Sequence, residues 1–500
     1  MTMTTTAPPA ARRDTLVVFG GLLLAMFISA LDQTIMATAL PTISGDLSGL
    51  SQLTWIVTVY VLAAAATTPI WGKLSDQLGR RALLRAAIGT FLVGSVLSGA
   101  ATSLGELIAL RAIQGVGAGG VMTLAMATVG DIVAPRERGR YQGYIQLVFV
   151  LASVAGPLLG GLLVDQLSWR WVFYINVPIG IAALILLRRQ PAGTERRQAR
   201  IDVVGAALLA AAVTVSMLIA EWGGERWAWR SPQLLALAGA AAVLLAGFVW
   251  QERRAAEPVL PLRLLRDRVF VVVGGGAFLA TMSLFAAIVF VPLFFQLVTG
   301  ASATTSGLLV IPMLLASAVS TTLSGRIMAR TGRYKIFPVL GFAIMGVGLA
   351  LLSTVDTARG PAIVSLVVFG LGFGMTTQVL IIAIQNAVDR REIGTATASV
   401  NLFRALGGSM GVAIYGAIFA AGLRHWLPRQ LPGEVGGVDA RGIQAGPDRI
   451  RALSATVQHG VAVSVSDALH LVFLTAAIVA AVGLLVVLYL RERPLRKETS

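Results

Sequence analysis

Long runs of apolar residues dominate the chain and alternate with short polar segments. Each run is close to the roughly 20 residues that cross a bilayer as a helix. The fourteen runs cover residues 16–40, 53–71, 82–101, 106–130, 143–164, 171–188, 203–221, 233–250, 269–295, 305–323, 335–353, 362–385, 397–420 and 469–490. Because lipid cannot hydrogen-bond to a bare backbone, such runs fold as helices or barrel strands, and the lack of two-residue alternation excludes the barrel. The pattern predicts an all-α polytopic membrane protein with fourteen transmembrane helices.

Basic residues concentrate in every second segment between the runs. With the N-terminus placed in the cytoplasm, 29 of the 40 Lys and Arg residues fall in cytoplasmic segments and nine in outer ones. Positive charge marks the cytoplasmic side. We therefore expect residues 1–15 and 491–500 to be cytoplasmic tails of an inner (plasma) membrane protein. The same bias explains the net charge of +16 without a nucleic-acid partner.

The composition excludes several classes of function. Only 13% of the residues are charged, whereas a soluble protein has about 25%. The chain has no cysteine and only three scattered histidines, which argues against thiol chemistry and a metal site. It also lacks the G-x-x-x-x-G-K-[ST] pattern that binds nucleotide phosphates. We expect no cofactor and no enzymatic activity, since a membrane-embedded enzyme needs a nucleophile–base or metal constellation and a sensor needs a soluble output domain.

An internal repeat divides the chain. The segments after the second and tenth runs match at a constant offset of 253 positions, which pairs Gly72 with Gly325, Gly79 with Gly332 and Arg80 with Arg333. Transporters are commonly built from repeats, with the site between them. The simplest organisation has a first six-helix bundle (16–190), an inserted helix pair with its linkers (191–268), and a second six-helix bundle (269–490) that includes an outer loop (421–468).

Asp32 lies inside the first apolar run. A carboxylate at membrane depth costs about 2.5–3.5 kcal/mol or more, so a chain that carries one there usually uses it. A carboxylate whose burial or cationic neighbour changes during a conformational cycle gains and loses a proton. Asp32 is therefore a candidate proton-binding group. The alternative is a structural carboxylate that is satisfied by lipid headgroups or by Thr34.

Arg111 lies at a similar depth in the fourth run. An intramembrane arginine needs a partner, and Asp32 is the most plausible one. The alternative is an arginine that snorkels to the outer headgroups. Gln114 is about one turn further on and shares the same face, where it would contact Arg111 or a substrate.

A charged segment follows the second run. Asp76 and Arg80 are four residues apart and face each other if the segment is helical. Asp76 is also suited to face the positive N-terminus of a neighbouring helix. Asp131, which ends the fourth run on the same side, is a candidate partner for Arg80.

The fifth run contains Gly156, Pro157, Gly160 and Gly161. Proline removes a backbone hydrogen bond and kinks a helix, and glycines at this spacing permit close helix packing. This run is thus predicted to bend or to press against a neighbour, although generic small-residue packing is the alternative.

These segments resemble the major facilitator superfamily, and in particular its fourteen-helix drug:proton antiporter family, over residues 14–490. The matching residues are Leu31, Asp32, Thr34, Ile35, Ala39, Leu40 and Pro41; Gly72, Leu74, Asp76, Gly79, Arg80 and Arg81; Arg111, Gln114, Gly115 and Gly119; and Gly156, Pro157, Gly160 and Gly161. The chain departs from the family patterns at Met36, Thr38, Gln77 and Ala152.

The resemblance implies two six-helix bundles around a central cavity, with two extra helices between them, and proton-driven export of small hydrophobic compounds such as drugs or antibiotics by alternating access. Asp32 and Arg111 would couple the proton. A latch formed by Gly72, Asp76, Gly79, Arg80 and Asp131 would hold the bundles together on the cytoplasmic side. The glycines and Pro157 of the fifth run would form a hinge in a span that faces the other bundle.

Asn401 and Arg404, in the thirteenth run, also resemble a family feature. With Gln114 they are candidates for lining the cavity, although Arg404 could instead lie near the inner headgroups. We expect a monomer that binds small molecules, protons and lipid. An alternative with the same architecture is a dedicated exporter of one metabolite or of a self-made antibiotic.

Overall fold

The computed structural model describes residues 9–47, 53–133, 137–189, 202–223, 226–261, 263–355, 358–431 and 455–493. Within these ranges the chain forms sixteen α-helices and three short 3-10 turns, with no β-strand. The all-α prediction is thereby confirmed. Most of the two predicted tails (1–8 and 494–500), the linker residues 190–201 and the middle of the predicted outer loop (432–454) lie outside the described residues.

The helices follow the predicted apolar runs in order. They are α1 (Pro9–Leu47), α2 (Leu53–Leu78), α3 (Arg80–Ala100), α4 (Leu104–Ile132), α5 (Arg138–Gln166), α6 (Trp171–Tyr174), α7 (Asn176–Leu186), α8 (Val203–Trp222), α9 (Pro232–Arg254), α10 (Arg268–Leu297), α11 (Ala303–Leu308), α12 (Ile311–Thr331), α13 (Ile336–Leu352), α14 (Arg359–Ala387), α15 (Ile393–Gln430) and α16 (Ala455–Leu488). Among the described residues, thirteen helical spans are long and apolar enough to cross a membrane, with α6–α7 and α11–α12 each forming one span. The shorter apolar helix α13 completes the expected fourteen.

Both ends of the predicted outer loop 421–468 are helical, because α15 continues to Gln430 and α16 begins at Ala455. These extensions are amphipathic rather than uniformly apolar. Leu423 and Leu427 are buried at a spacing of four residues, while Arg424 and His425 between them are exposed. A search for continuous apolar runs misses such a segment, since only one face of the helix is apolar.

Two bundles account for most of the packing. In the first, α4 lies against α1, α2 and α3, while α5 and α7 pack on α1; in the second, α14 lies against α10, α12 and α13, while α15 and α16 pack on α10. The inserted helices α8 and α9 pack on each other, and α8 also touches α2 and α15. The inserted pair therefore lies beside the junction of the two bundles.

The bundles meet along two reciprocal seams, α2 against α15 and α5 against α12. Each seam joins the second crossing of one repeat to the fifth crossing of the other. A Cβ on Gly72 would lie 2.7 Å from the carbonyl oxygen of Gly394, and one on Gly139 would lie 2.3 Å from Cα of Gly325. Because Gly72 and Gly325 are repeat-related, the two seams use the same close backbone approach. We call the end of the molecule that holds these contacts the basic side.

Candidate functional site

Asp32 lies in the interior of the first bundle, with no exposed surface. Its carboxylate is 2.6 Å from Nη1 of Arg111. It also accepts hydrogen bonds from Nε2 of Gln114 at 2.8 Å and from Nδ2 of Asn176 at 3.1 Å. Three donors from α4 and α7 thus compensate a charge that α1 carries in the membrane-spanning part of the chain. Thr34 is not one of them, because its hydroxyl donates to the carbonyl of Ala152 at 2.9 Å.

Arg111 makes several contacts besides its ion pair with Asp32. Its Nη1 also donates to Oε1 of Gln114 at 2.8 Å, and its Nε donates to the carbonyl of Ile56 at 3.3 Å. The guanidinium lies 4.2 Å from the ring centroid of Tyr60, a cation–π distance. With 1% of its surface exposed, Arg111 does not snorkel. The structure therefore brings together Asp32, Arg111 and Gln114.

Asn176 and Ser95 extend this cluster and were not expected from the sequence. Nδ2 of Asn176 donates to Oγ of Ser95 at 3.0 Å, and Ser95 donates to the carbonyl of Phe173 at 2.8 Å. The available signal was a single asparagine within the apolar run 171–188. The direction of the Asn176 side chain depends on how α7 packs against α1 and α3. The periodicity of a single run does not determine this packing.

The latch lies at the basic side, where α15 begins. Oδ2 of Asp76 accepts hydrogen bonds from the backbone nitrogen of Thr395 at 2.7 Å and from its hydroxyl at 2.9 Å, and Oδ1 accepts from the nitrogen of Gly394 at 3.0 Å. These nitrogens belong to the first turn of α15, which has no internal acceptors for them and carries a partial positive charge. The carboxylate of one bundle thus binds the helix N-terminus of the other.

Arg80 connects the latch to α4. It is 3.0 Å from Asp76 and 3.0 Å from Asp131, and it donates to the carbonyl of Ala127 at 2.6 Å. Gly79, between α2 and α3, has φ of +96°, a backbone conformation that favours glycine. This turn places Arg80 at the start of α3, within reach of both carboxylates.

The repeat-related segment of the second half does not form a latch. Position 329, which corresponds to Asp76, is an alanine, and Arg333 is exposed. Next to it, Tyr334 instead binds the C-terminal segment, donating to the carbonyl of Arg491 at 3.1 Å and accepting from the nitrogen of Arg493 at 3.0 Å. Burial raises the pKa of the Tyr334 hydroxyl, so it stays protonated and keeps donating.

The glycines of the fifth run pack within their own bundle. A Cβ on Gly156 would lie 2.1 Å from Oγ1 of Thr34, and one on Gly160 would lie 2.0 Å from Oγ1 of Thr38. A Cβ on Gly161 would have no neighbour within 4 Å, and the side chain of Pro157 is exposed. The span does face the other bundle, as the resemblance implied, but it does so through Gly139 rather than through these glycines.

Asn401 and Arg404 lie on α15. Nδ2 of Asn401 donates to Oγ1 of Thr123 across the bundle interface at 3.3 Å. Nearby, Nε2 of Gln385 donates to Oγ1 of Thr397 at 3.1 Å and to the carbonyl of Met126 at 3.3 Å. These bonds form a second polar layer between the bundles. Arg404 lies beyond this layer, towards the opposite side. Among the described residues, no group of three or more His, Cys, Asp or Glu could hold a metal ion.

The model of the Major Facilitator Superfamily matches residues 22–412. The chain is 39% identical to an uncharacterized MFS-type transporter of Mycobacterium tuberculosis (strain H37Rv), over 99% of this chain and 73% of that protein. It is 34% identical to the Multidrug transporter protein MdtP of Bacillus subtilis (strain 168), over 94% of this chain and 92% of the relative. The proton:xylose symporter XylE has a TM-score of 0.63 and 14% identity, over 97% of this chain and 98% of that one. That likeness concerns the fold alone.

The helices, the two bundles and these relatives define a multi-pass membrane transporter that takes small-molecule substrates, rather than an enzyme. The chain belongs to the major facilitator superfamily.

Proposed function

We propose that the protein is a proton-coupled exporter of small hydrophobic compounds, working as a monomer by alternating access. The observation that carries this proposal is the buried Asp32 carboxylate, which is ion-paired to Arg111 at 2.6 Å and surrounded by amide donors. Membrane proteins keep such groups for ion pathways and proton relays. The name of the related Bacillus subtilis protein, a multidrug transporter, supports the choice of cargo.

Protonation of Asp32 is the step that changes the site. A neutral carboxyl group no longer balances the Arg111 charge, and removing one partner of a buried ion pair costs about 3–5 kcal/mol. The first bundle relieves this cost by changing shape, which opens Asp32 to one side of the membrane. Cargo leaves to the outside as the proton binds, and the next cargo enters from the cytoplasm as the proton departs.

The latch gives this cycle its direction. The positive charge distribution favours a cytoplasmic basic side and cytoplasmic termini in the inner membrane. With Asp76 bound to the N-terminus of α15, the bundles are joined on that side, which corresponds to a conformation sealed from the cytoplasm. The bundles must separate there before cargo can enter, as rocking-bundle transport requires.

Everted membrane vesicles with an imposed pH gradient test the proposal. We expect Asp32→Asn to lower gradient-driven accumulation of a hydrophobic fluorescent dye by at least about tenfold, while downhill dye movement continues. Asp14→Asn is the matched control. Asp14 lies on the same helix as Asp32, but its carboxylate and its partner Arg189, 3.5 Å away, are both exposed. Uphill transport by Asp32→Asn at the wild-type rate, with proton movement intact, would overturn the proposal.

A further inference from the structure

Among the residues that the structure describes, Arg404 of the second bundle has no anionic partner. It lies eleven residues after the start of α15 at Ile393, or about 16 Å along the helix at ~1.5 Å per residue. Its Nε is buried and has no hydrogen-bond acceptor among the described residues. By contrast, Arg111 of the first bundle is ion-paired to Asp32 at 2.6 Å. An intramembrane arginine without a partner is costly, so this position calls for an anion.

The second bundle cannot supply that anion at this depth. Helices α10 to α15 contain no aspartate and no glutamate. The acidic residue of α16, Asp467, precedes Ala468, which packs against Gly422 of α15. Gly422 lies eighteen residues beyond Arg404, or about 27 Å along α15 at ~1.5 Å per residue. In the inserted pair, Glu221 is already bound by the Thr58 hydroxyl at 2.8 Å.

Arg404 shares one face of α15 with residues that contact neighbouring helices. Thr397, Asn401, Arg404 and Gly408 recur at helical spacing and so share one face of α15. Thr397 accepts a bond from α14 and Asn401 donates to α4, while Gly408 lies against Phe285 of α10. Of these three contacts, the one made by Asn401 crosses to the first bundle. Arg404 is three residues further along the same face, so its partly exposed guanidinium is placed on the side of α15 that faces the first bundle.

The position of Arg404 relative to the closed layers suggests its role. The latch closes the basic side at Gly394, and the Asn401–Thr123 bond closes the next layer. Arg404 lies about one turn beyond Asn401, on the side of these closed layers that is away from the latch. A cargo that approaches the bundle interface from that side would meet a guanidinium with an unpaired, buried donor before it reaches the closed layers.

We infer that Arg404 binds an anionic group of the cargo, and that the substrates of this transporter include amphiphiles with a carboxylate next to an apolar body. This inference rests on the proposed export function and specifies its substrate class. A guanidinium donates two parallel, charge-assisted hydrogen bonds to a carboxylate. An ester carries no negative charge and therefore cannot form this ion pair. Arg111 is not suited to this purpose, because its guanidinium is already ion-paired to Asp32.

Two dyes that differ only at this group test the inference: rhodamine 110, a free acid, and rhodamine 123, its methyl ester. Fluorescence polarisation on the purified protein measures their affinities. Hydrogen bonds to charged groups are strong enough that we expect the wild type to bind the acid about tenfold tighter or more. Arg404→Gln should bring the two affinities within about twofold and leave the affinity for the ester unchanged. Arg404→Lys should keep part of the preference.

Arg424→Gln is the matched control, since Arg424 lies on the same helix but is exposed; its acid preference should equal that of the wild type. Equal wild-type affinities for the acid and the ester would overturn the inference without any variant. An acid preference that survives in Arg404→Gln would also overturn it. If the ester is still exported with the pH gradient in those cases, the proposed function stands alone. If neither dye binds or moves, both proposals fail.

Discussion

Arg111 and Asp131 lie on the same helix, about 30 Å apart at ~1.5 Å per residue, and each forms an ion pair that joins α4 to another part of the first bundle. Arg111 binds Asp32 of α1, and Asp131 binds Arg80 at the latch. In the proposed cycle, a change in the Asp32 pair would be carried to the latch by α4, since a helix transmits a rigid displacement along its length. The two ion pairs are thus connected by a single helix, with one pair near each end.

The amide of Gln114 connects the two charges of the Asp32–Arg111 ion pair. It donates to Asp32 and accepts from Arg111, so Gln114→Leu leaves one bond of each charge unmade. We expect a loss of about 1.5–3 kcal/mol in stability, visible as a lower midpoint of thermal unfolding in detergent, and a lower rate of coupled transport. Gln233→Leu, at an exposed glutamine on α9, is the control. Unchanged unfolding of Gln114→Leu would show that the amide is not part of the cluster.

The cost of a charge in lipid explains how much of this site the sequence predicts. Asp32 and Arg111 each need a partner in the membrane, and their similar depth in the first and fourth runs predicted this pair. Position on the same side of the membrane predicted Asp131 as a partner of Arg80, and the positive end of a helix was predicted as a partner of Asp76. Each of these is a charge that cannot be left unpaired, which limits the possible neighbours to a few.

Uncharged polar residues are harder to place from the sequence. Asn176 and Ser95 have many ways to satisfy their bonds, and their direction follows from how α3 and α7 rotate against α1. The same limit applied to Gly160, since helical spacing predicted close packing but not whether the neighbour was α1 or the other bundle. The ends of α15 and α16 were missed because their apolar residues form a stripe rather than a continuous run.

The lack of cysteine makes the topology directly testable. Single cysteines at Arg424 and Arg326, both exposed, lie on opposite sides of the molecule. Positive charge predicts a cytoplasmic basic side, so a membrane-impermeant maleimide should label Arg424→Cys in intact cells and Arg326→Cys only after permeabilisation. The unmodified chain provides the blank. Labelling of Arg326→Cys in intact cells would reverse the orientation on which the direction of export depends.

Asp76→Asn tests the latch without changing its shape. The amide keeps the size of the side chain but loses the charge that attracts Arg80 and the N-terminus of α15. We expect transport to fall by about tenfold while equilibrium binding of substrate is retained, because the substitution shifts the balance between conformations rather than the cavity. Asp267→Asn is the control, since Asp267 also binds a helix N-terminus, at Val269 on α10, but within one bundle. Lost binding in a folded Asp76→Asn protein would contradict a gating role.

Gly72→Ala tests whether the seam between α2 and α15 must close fully for the latch to form. The added Cβ would lie 2.4 Å from Cβ of Ala398, too close for any rotation to relieve, so the helices must separate. Spin labels on the exposed side chains of Leu78 and Arg391, one at each side of the seam, should then report a longer and broader distance distribution, with slower transport. Gly89→Ala is the matched control, because a Cβ there meets no atom within 4 Å and alanine favours the helix by about 0.5–1 kcal/mol; it should leave both the distance and the transport rate unchanged. If Gly72→Ala gives the wild-type distance, the close approach of the two backbones is not what holds the basic side closed.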